Sequence, residues 1–199
     1  MALVASLGGL AAVSEVLGGL PVGFPARVLV VQHGRRDGNP ERLAGLLRRV
    51  SQLPVRVAES GCVLPDQGVV VMPPGHAATV DGQWGVRLAD DDASRGGDAL
   101  LASLAPLAGR RAIGVVLTGM LHDGAHGVRL IKRHGGRVIA QDPGTARAAG
   151  MPSSAIATGC VDFVLPLQRI GTALVALTMA PGGAELLTVP TPSWARLPC

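Results

Sequence analysis

A chain of 199 residues, 48% of them hydrophobic, suits one domain with a sizeable core. Its 18 basic and 14 acidic residues leave a formal charge of +4, carried mainly by scattered arginines, and its only aromatics are Phe24, Trp84, Phe163 and Trp194. Diffuse charge without stacking residues argues against nucleic-acid binding, and Cys62, Cys160 and Cys199 are spaced too widely for a zinc knuckle or a disulfide framework.

Leu3-Val4-Ala5 reads as a short buried strand, and Gly8-Gly9 opens a helix that runs to about Leu17. The apolar start lacks a basic leader and is interrupted by Gly8-Gly9 and Glu15, so it is not read as a signal peptide. Arg27 to Gln32 is a second strand. Pro40 to Val50 has helical spacing, with Leu43, Leu46 and Leu47 on one face. Pro54 to Ala58 and Gly68 to Met72 are strands, the latter ended by Pro73-Pro74-Gly75. Ala77 to Val80 and Trp84 to Leu88 flank Asp81-Gly82, a hairpin-turn dipeptide.

Asp90 to Gly97 is polar and reads as a surface loop, and Asp98 to Ala108 as a helix. Ala112 to Leu117 is the clearest buried strand. Gly124 to His134 is a helix stopped by Gly135-Gly136, followed by a strand over Arg137 to Ala140 and a loop to Gly150. Pro152 to Thr158 is a short helix with Pro in its first turn. Val161 to Leu165 is the last strand and Leu167 to Met179 the last helix, after which the chain loses periodicity. The expected organisation is one domain over residues 1–179 and a loose tail over 180–199. Alternating strands and helices predict an α/β fold: a doubly wound, mostly parallel sheet flanked by helices as a three-layer sandwich, with a small antiparallel hairpin. No stretch is long and apolar enough to span a bilayer. Free cysteines suit a reducing compartment, so a cytoplasmic location is expected.

An open parallel sheet places its ligands beyond the carboxyl ends of its strands. Ser6 follows the first strand, His33 the second, and Thr118 to Gly124, including Asp123, the Ala112 strand. A hydroxyl, an imidazole and a carboxylate on three strand ends are the groups of a serine hydrolase. Gly8 and Gly9 leave room for substrate beside Ser6, and the following helix aims its free N–H groups at the site. His122 and His126 are four apart, a spacing that can hold a metal, yet no third ligand follows at convincing spacing and they are read as solvent-facing. No dinucleotide fingerprint follows the first strand.

Val4-Ala5-Ser6-Leu7-Gly8-Gly9 resembles the nucleophile segment, Gly-Ala-Ser-Thr-Gly-Gly, of the chemotaxis protein-glutamate methylesterases, the CheB family. Val31-Gln32-His33 resembles its His segment, and Leu117 to Gly124 its Leu-Thr-Gly-Met-Gly-x-Asp-Gly segment. Val71 to His76, Ile139 to Asp142 and Gly150 to Ile156 match in the same order. The resemblance implies hydrolysis of receptor glutamate methyl esters to carboxylate and methanol, with glutamine deamidation as a further activity of many members. It implies Ser6 as nucleophile, His33 as general base and acid, and Asp123 as the group that orients His33. Met120 becomes an oxyanion donor through its backbone N–H, with Leu7 and Gly8 completing the oxyanion and substrate-binding positions. No cofactor or metal is implied. The implied partner is the cytoplasmic region of a methyl-accepting chemoreceptor, without membrane insertion. A receiver domain of the kind often fused ahead of this catalytic domain is not expected in the chain, nor is control by phosphorylation of an attached domain, and a separate regulatory protein is a partner the reading leaves open.

The match departs at Val4 for Gly, Leu7 for Thr and Leu121 for Gly. The family's Arg-Pro-Ser-x-Asp appears only as Ser94-Arg95-Gly96-Gly97-Asp98, and its Met-Pro after the His is Gly34-Arg35. Leu121 is expected to narrow the cleft. Two rival readings are a receptor-binding module of the same fold without catalysis and a small-molecule carboxylesterase.

Overall fold

Short runs of Val, Leu, Ile and Ala build a sheet that is covered on both faces, as parallel strands require. The structure, a computed structural model, describes residues 1–34, 38–90 and 95–183. In chain order its elements are β1 (Ala2–Ala5), α1 (Gly9–Gly18), β2 (Arg27–Gln32), α2 (Pro40–Arg48), β3 (Val55–Val57), β4 (Gly68–Val71), β5 (Ala77–Val80) and β6 (Val86–Ala89). There follow α3 (Gly96–Ala108), β7 (Ile113–Val116), α4 (Ala125–Arg133), β8 (Arg137–Gln141), α5 (Gly150–Ala157), β9 (Phe163–Leu165) and α6 (Leu167–Met179).

The main sheet has the order β3-β4-β2-β1-β7-β8-β9, and every pairing in it is parallel. The period of two along each strand sorts residues into two cores. Leu3, Ala5, Val28, Val30 and Val115 face one layer with Val13, Val16, Leu47, Ile170 and Leu174 from α1, α2 and α6. Val4, Leu29, Val31 and Val116 face the other with Leu100, Leu101 and Leu104 of α3 and Val128 and Ile131 of α4. The β5–β6 hairpin packs on α3 through β5. A doubly wound three-layer sandwich with a small antiparallel hairpin is therefore the fold.

Among the local readings, those of the hairpin and of the start of α3 change. The hairpin turn spans five residues, with Val80 opposite Val86, and the second strand starts at Val86 instead of Trp84. Asp81 wins over the two-residue turn because its carboxylate accepts the amides of Gln83 and Gly85, which wraps the chain around it. Gly96 and Gly97 belong to α3 instead of the preceding loop, because the Gly97 and Asp98 amides have an acceptor waiting in Asp123. Of that predicted loop, residues 91–94 lie outside the described residues, as do Arg35 beyond His33 and the part of the predicted tail from residue 184 onward.

β1 sits at the centre, and the chain runs from it first toward β2 and β4, then returns to its other side at β7. Such a switch point opens a crevice at the carboxyl ends of the strands. Ser6, His33 and the segment after β7 all leave the sheet there.

Candidate active site

Asp123 is a buried carboxylate, 4% exposed, and its charge is met by the start of α3. The Gly97 amide donates to Oδ2 at 2.7 Å and the Asp98 amide to Oδ1 at 2.9 Å. Free N–H groups at a helix start suit a carboxylate, and these two amides fix its position. Gly97 has to be small, because a Cβ there would sit 2.6 Å from Asp123 Oδ2.

His33 is placed by the end of β2, where its amide donates to Ala5 O at 2.9 Å. Its Nε2 lies 2.6 Å from Asp123 Oδ2. The contact is close but not aligned as a hydrogen bond, and geometry of this kind commonly tightens once substrate is bound.

Ser6 ends β1 and is held by its backbone. Its amide donates to Thr118 O at 2.9 Å, and its carbonyl accepts from Gln32 Nε2 at 2.7 Å and Gly9 N at 2.8 Å. Thr118 binds both sides of the site: its Oγ1 donates to Leu7 O and accepts from Ala148 N, each at 2.9 Å. Gln141 fixes Thr118 in turn, accepting its amide at 2.9 Å. Gly8, at φ 82°, turns the chain from strand into α1 through a left-handed conformation that favours glycine.

Ser6, Leu7, Gly8 and His33 line one groove of about 730 Å³, which Gln32 and Arg147 help to close. Among the described residues the amides of Leu7, Gly8 and Met120 donate to no protein acceptor. Met120 is 59% exposed, on the loop between β7 and α4, and is not among the groove-lining residues. Leu121, expected to narrow the cleft, is 70% exposed and does not line the groove. It adopts φ 65° instead, so the departure from Gly acts on the backbone and not on the opening.

Sequence reasoning missed Gly97, Thr118, Gln141 and Arg147. Gly97 lies in a segment where the family motif is barely legible, Thr118 and Gln141 act through polar contacts that no periodicity reveals, and only the fold brings Arg147 onto Gly8. Met151 is fully buried, and its Sδ and Ser6 Cβ both crowd Gly119, where a Cβ would sit 2.0 and 2.9 Å from them. The Asp162 side chain is buried and pairs with Lys132. Among the described residues no cluster of three or more His, Cys, Asp or Glu side chains could hold a metal, and His122 and His126 have no third ligand.

The CheB methylesterase family model matches residues 1–174. The chain belongs to the CheB methylesterase family. A protein-glutamate methylesterase/protein-glutamine glutaminase of Anaeromyxobacter dehalogenans is 44% identical over 178 residues, which is 87% of this chain and 52% of that protein. The protein-glutamate methylesterase FrzG of Myxococcus xanthus is 41% identical over 179 residues, 88% of this chain and 53% of its own length. The chain thus spans about half the length of the curated relatives it matches. The crystal structure of the Thermotoga maritima CheB methylesterase catalytic domain superposes with a TM-score of 0.82 at 34% identity, covering 88% of this chain and 96% of that one. The names of these relatives denote carboxylic-ester hydrolases, and the CheB catalytic fold is the one described above. Among the described residues no helix is long and apolar enough to cross a membrane.

Proposed function

We propose that residues 1–179, through the end of α6, form a cytoplasmic catalytic unit that hydrolyses glutamate methyl esters on chemoreceptors with Ser6, His33 and Asp123. The observation that carries this reading is the 2.6 Å approach of His33 Nε2 to a carboxylate fixed by a helix start, on the groove that Ser6 also lines. With Nε2 turned to Asp123, Nδ1 is the ring nitrogen left for the Ser6 proton.

Ser6 Oγ attacks the ester carbonyl carbon while His33 accepts its proton. The carbonyl oxygen becomes an oxyanion, and the unpaired amides of Leu7, Gly8 and Met120 are the candidate donors for it. The C–O bond to the methoxy group breaks, and methanol leaves with the proton from His33. Water then attacks the acyl-serine, giving its proton to His33, and the glutamate carboxylate departs as Ser6 regains its hydrogen. A glutamine side chain would follow the same steps and release ammonia, in line with the second activity in some relatives' names.

The test is methanol release from a methylated chemoreceptor by wild type and Ser6→Ala. The expected loss in Ser6→Ala is on the order of 10³-fold or more. Equal release by the two proteins would overturn the reading. A small ester such as p-nitrophenyl acetate cleaved by wild type alone, with receptor untouched, would indicate a small-molecule esterase. No Ser6-dependent cleavage of either would leave a receptor-binding module.

A further inference from the structure

Among the described residues, Arg147 stands over the nucleophile turn without a counter-charge. Its stem lies on Gly8: a Cβ at Gly8 would be 2.8 Å from Arg147 Cβ and 3.0 Å from its Cδ. The backbone beside it is tied to the site through the Ala148 amide on Thr118 Oγ1, at 2.9 Å, and the Gly119 amide on Ala148 O, also at 2.9 Å. Thr118 O holds the Ser6 amide as well, so Arg147 and the nucleophile are registered through one residue. The guanidinium makes no ion pair or hydrogen bond with any described residue, and no carboxylate is among the described residues lining the groove. A permanent cation whose stem is packed and whose head meets no partner among the described residues, at the edge of a reactive groove, is arranged to receive an anion.

We infer that Arg147 is a specificity-determining residue that pairs with a free carboxylate next to the scissile ester, so that the preferred substrate is an acidic peptide segment carrying a glutamyl methyl ester. The ester part of this inference rests on the proposed function; the anion preference rests on Arg147 alone. Salt should weaken the preference, since the guanidinium is exposed.

The experiment uses two synthetic peptides, each with one γ-methyl glutamate, flanked by Glu in one and by Gln in the other. Wild type should favour the Glu peptide in kcat/KM by about fivefold, as an exposed to half-shielded charge pair allows. Arg147→Gln should bring that ratio close to one, Arg147→Lys should keep part of it, and Arg147→Glu should invert it. The same ratio is read without turnover as the Kd of the labelled peptides for Ser6→Ala, with and without Arg147→Gln. A Glu-to-Gln ratio that Arg147→Gln leaves where it was, in turnover or in Kd, overturns the inference. Failure of wild type to cleave either peptide, with the Kd ratio still moved by Arg147→Gln, overturns the methylesterase reading and keeps the anion site.

Discussion

Gly97 donates its amide to Asp123 Oδ2 at 2.7 Å, and the approach is that close because position 97 carries no side chain. A Cβ there would sit 2.2 Å from Val4 Cγ1 as well as 2.6 Å from the carboxylate. Val4 stands where the resembling family segment has glycine, so its isopropyl group occupies space that a side chain at 97 would need.

Gly97→Ala should therefore act twice. Overpacking against Val4 should lower stability by about 1–3 kcal/mol, and displacement of Asp123 should lower kcat. Adding Val4→Ala removes the apolar clash and should restore much of the stability. It leaves the clash with the carboxylate, so kcat should stay low. Urea unfolding with methanol release on the single and double variants separates the effects. Full recovery of kcat in the double variant would show that Asp123 is insensitive to the Gly97 backbone.

The fold was readable because its strands are unmixed runs such as Arg27–Gln32, and its helices carry clear stops such as Gly135-Gly136. The residues after β1, β2 and β7 were readable as a candidate site because strand ends at a switch point are where an open sheet binds. The support of that site was not. Thr118 and Gln141 are ordinary polar residues in sequence, and only their bonds to Leu7 O, Ala148 N and each other give them a role. The hairpin was misplaced because Asp81-Gly82 satisfies a local rule that the Asp81 side chain overrides.

Leu121 sits at φ 65°, a left-handed conformation that costs a non-glycine residue roughly 1–2 kcal/mol. Glycine removes that strain but adds unfolded-state entropy, roughly 0.5–1 kcal/mol. Because the side chain is 70% exposed, little packing is lost with it. Leu121→Gly should thus be neutral to stabilising by up to about 1 kcal/mol, whereas Leu121→Val, β-branched in the same conformation, should destabilise. Thermal unfolding of the two variants checks the order. A glycine variant clearly less stable than wild type would mean that Leu121 contributes packing beyond its exposed contacts.

Asp98 shapes stability against pH. Burial pushes its carboxyl above the ordinary value of 3.8; the Gly127 amide opposes this, and the nearby Asp123 charge adds to the rise. A carboxyl whose folded-state pKa is raised binds its proton more tightly when folded. Its favourable contribution is complete below 3.8 and is lost as pH rises through the raised value. Asp98→Asn carries no charge and keeps an oxygen for the Gly127 amide, now accepted at 2.7 Å. The variant should gain on wild type at about pH 7, and the gap should close as pH falls toward about 4. Urea midpoints across that range measure it. A gap that widens on acidification would show that the Asp98 charge stabilises the fold.

Lys132, the sole lysine of the chain, is paired with Asp162 in the interior, their side chains 2% and 0% exposed. Asp162 also accepts the Val138 amide at 2.7 Å, so one carboxylate ties the last turn of α4 to the start of β8. Removing one member of a buried pair leaves the other charge uncompensated, at a typical loss of roughly 3–5 kcal/mol. Lys132→Met should fall in that range. Adding Asp162→Asn removes the stranded charge while keeping an acceptor for Val138, and the double variant should recover more than half of the loss. The pair lies at the far end of α4 and β8 from Ser6 and His33, so kcat of the folded Lys132→Met protein should change little. Urea unfolding of both variants measures the coupling. A loss below about 1 kcal/mol in Lys132→Met would mean that Asp162 is stabilised by the Val138 amide alone, and that the ion pair does not hold α4 to the sheet.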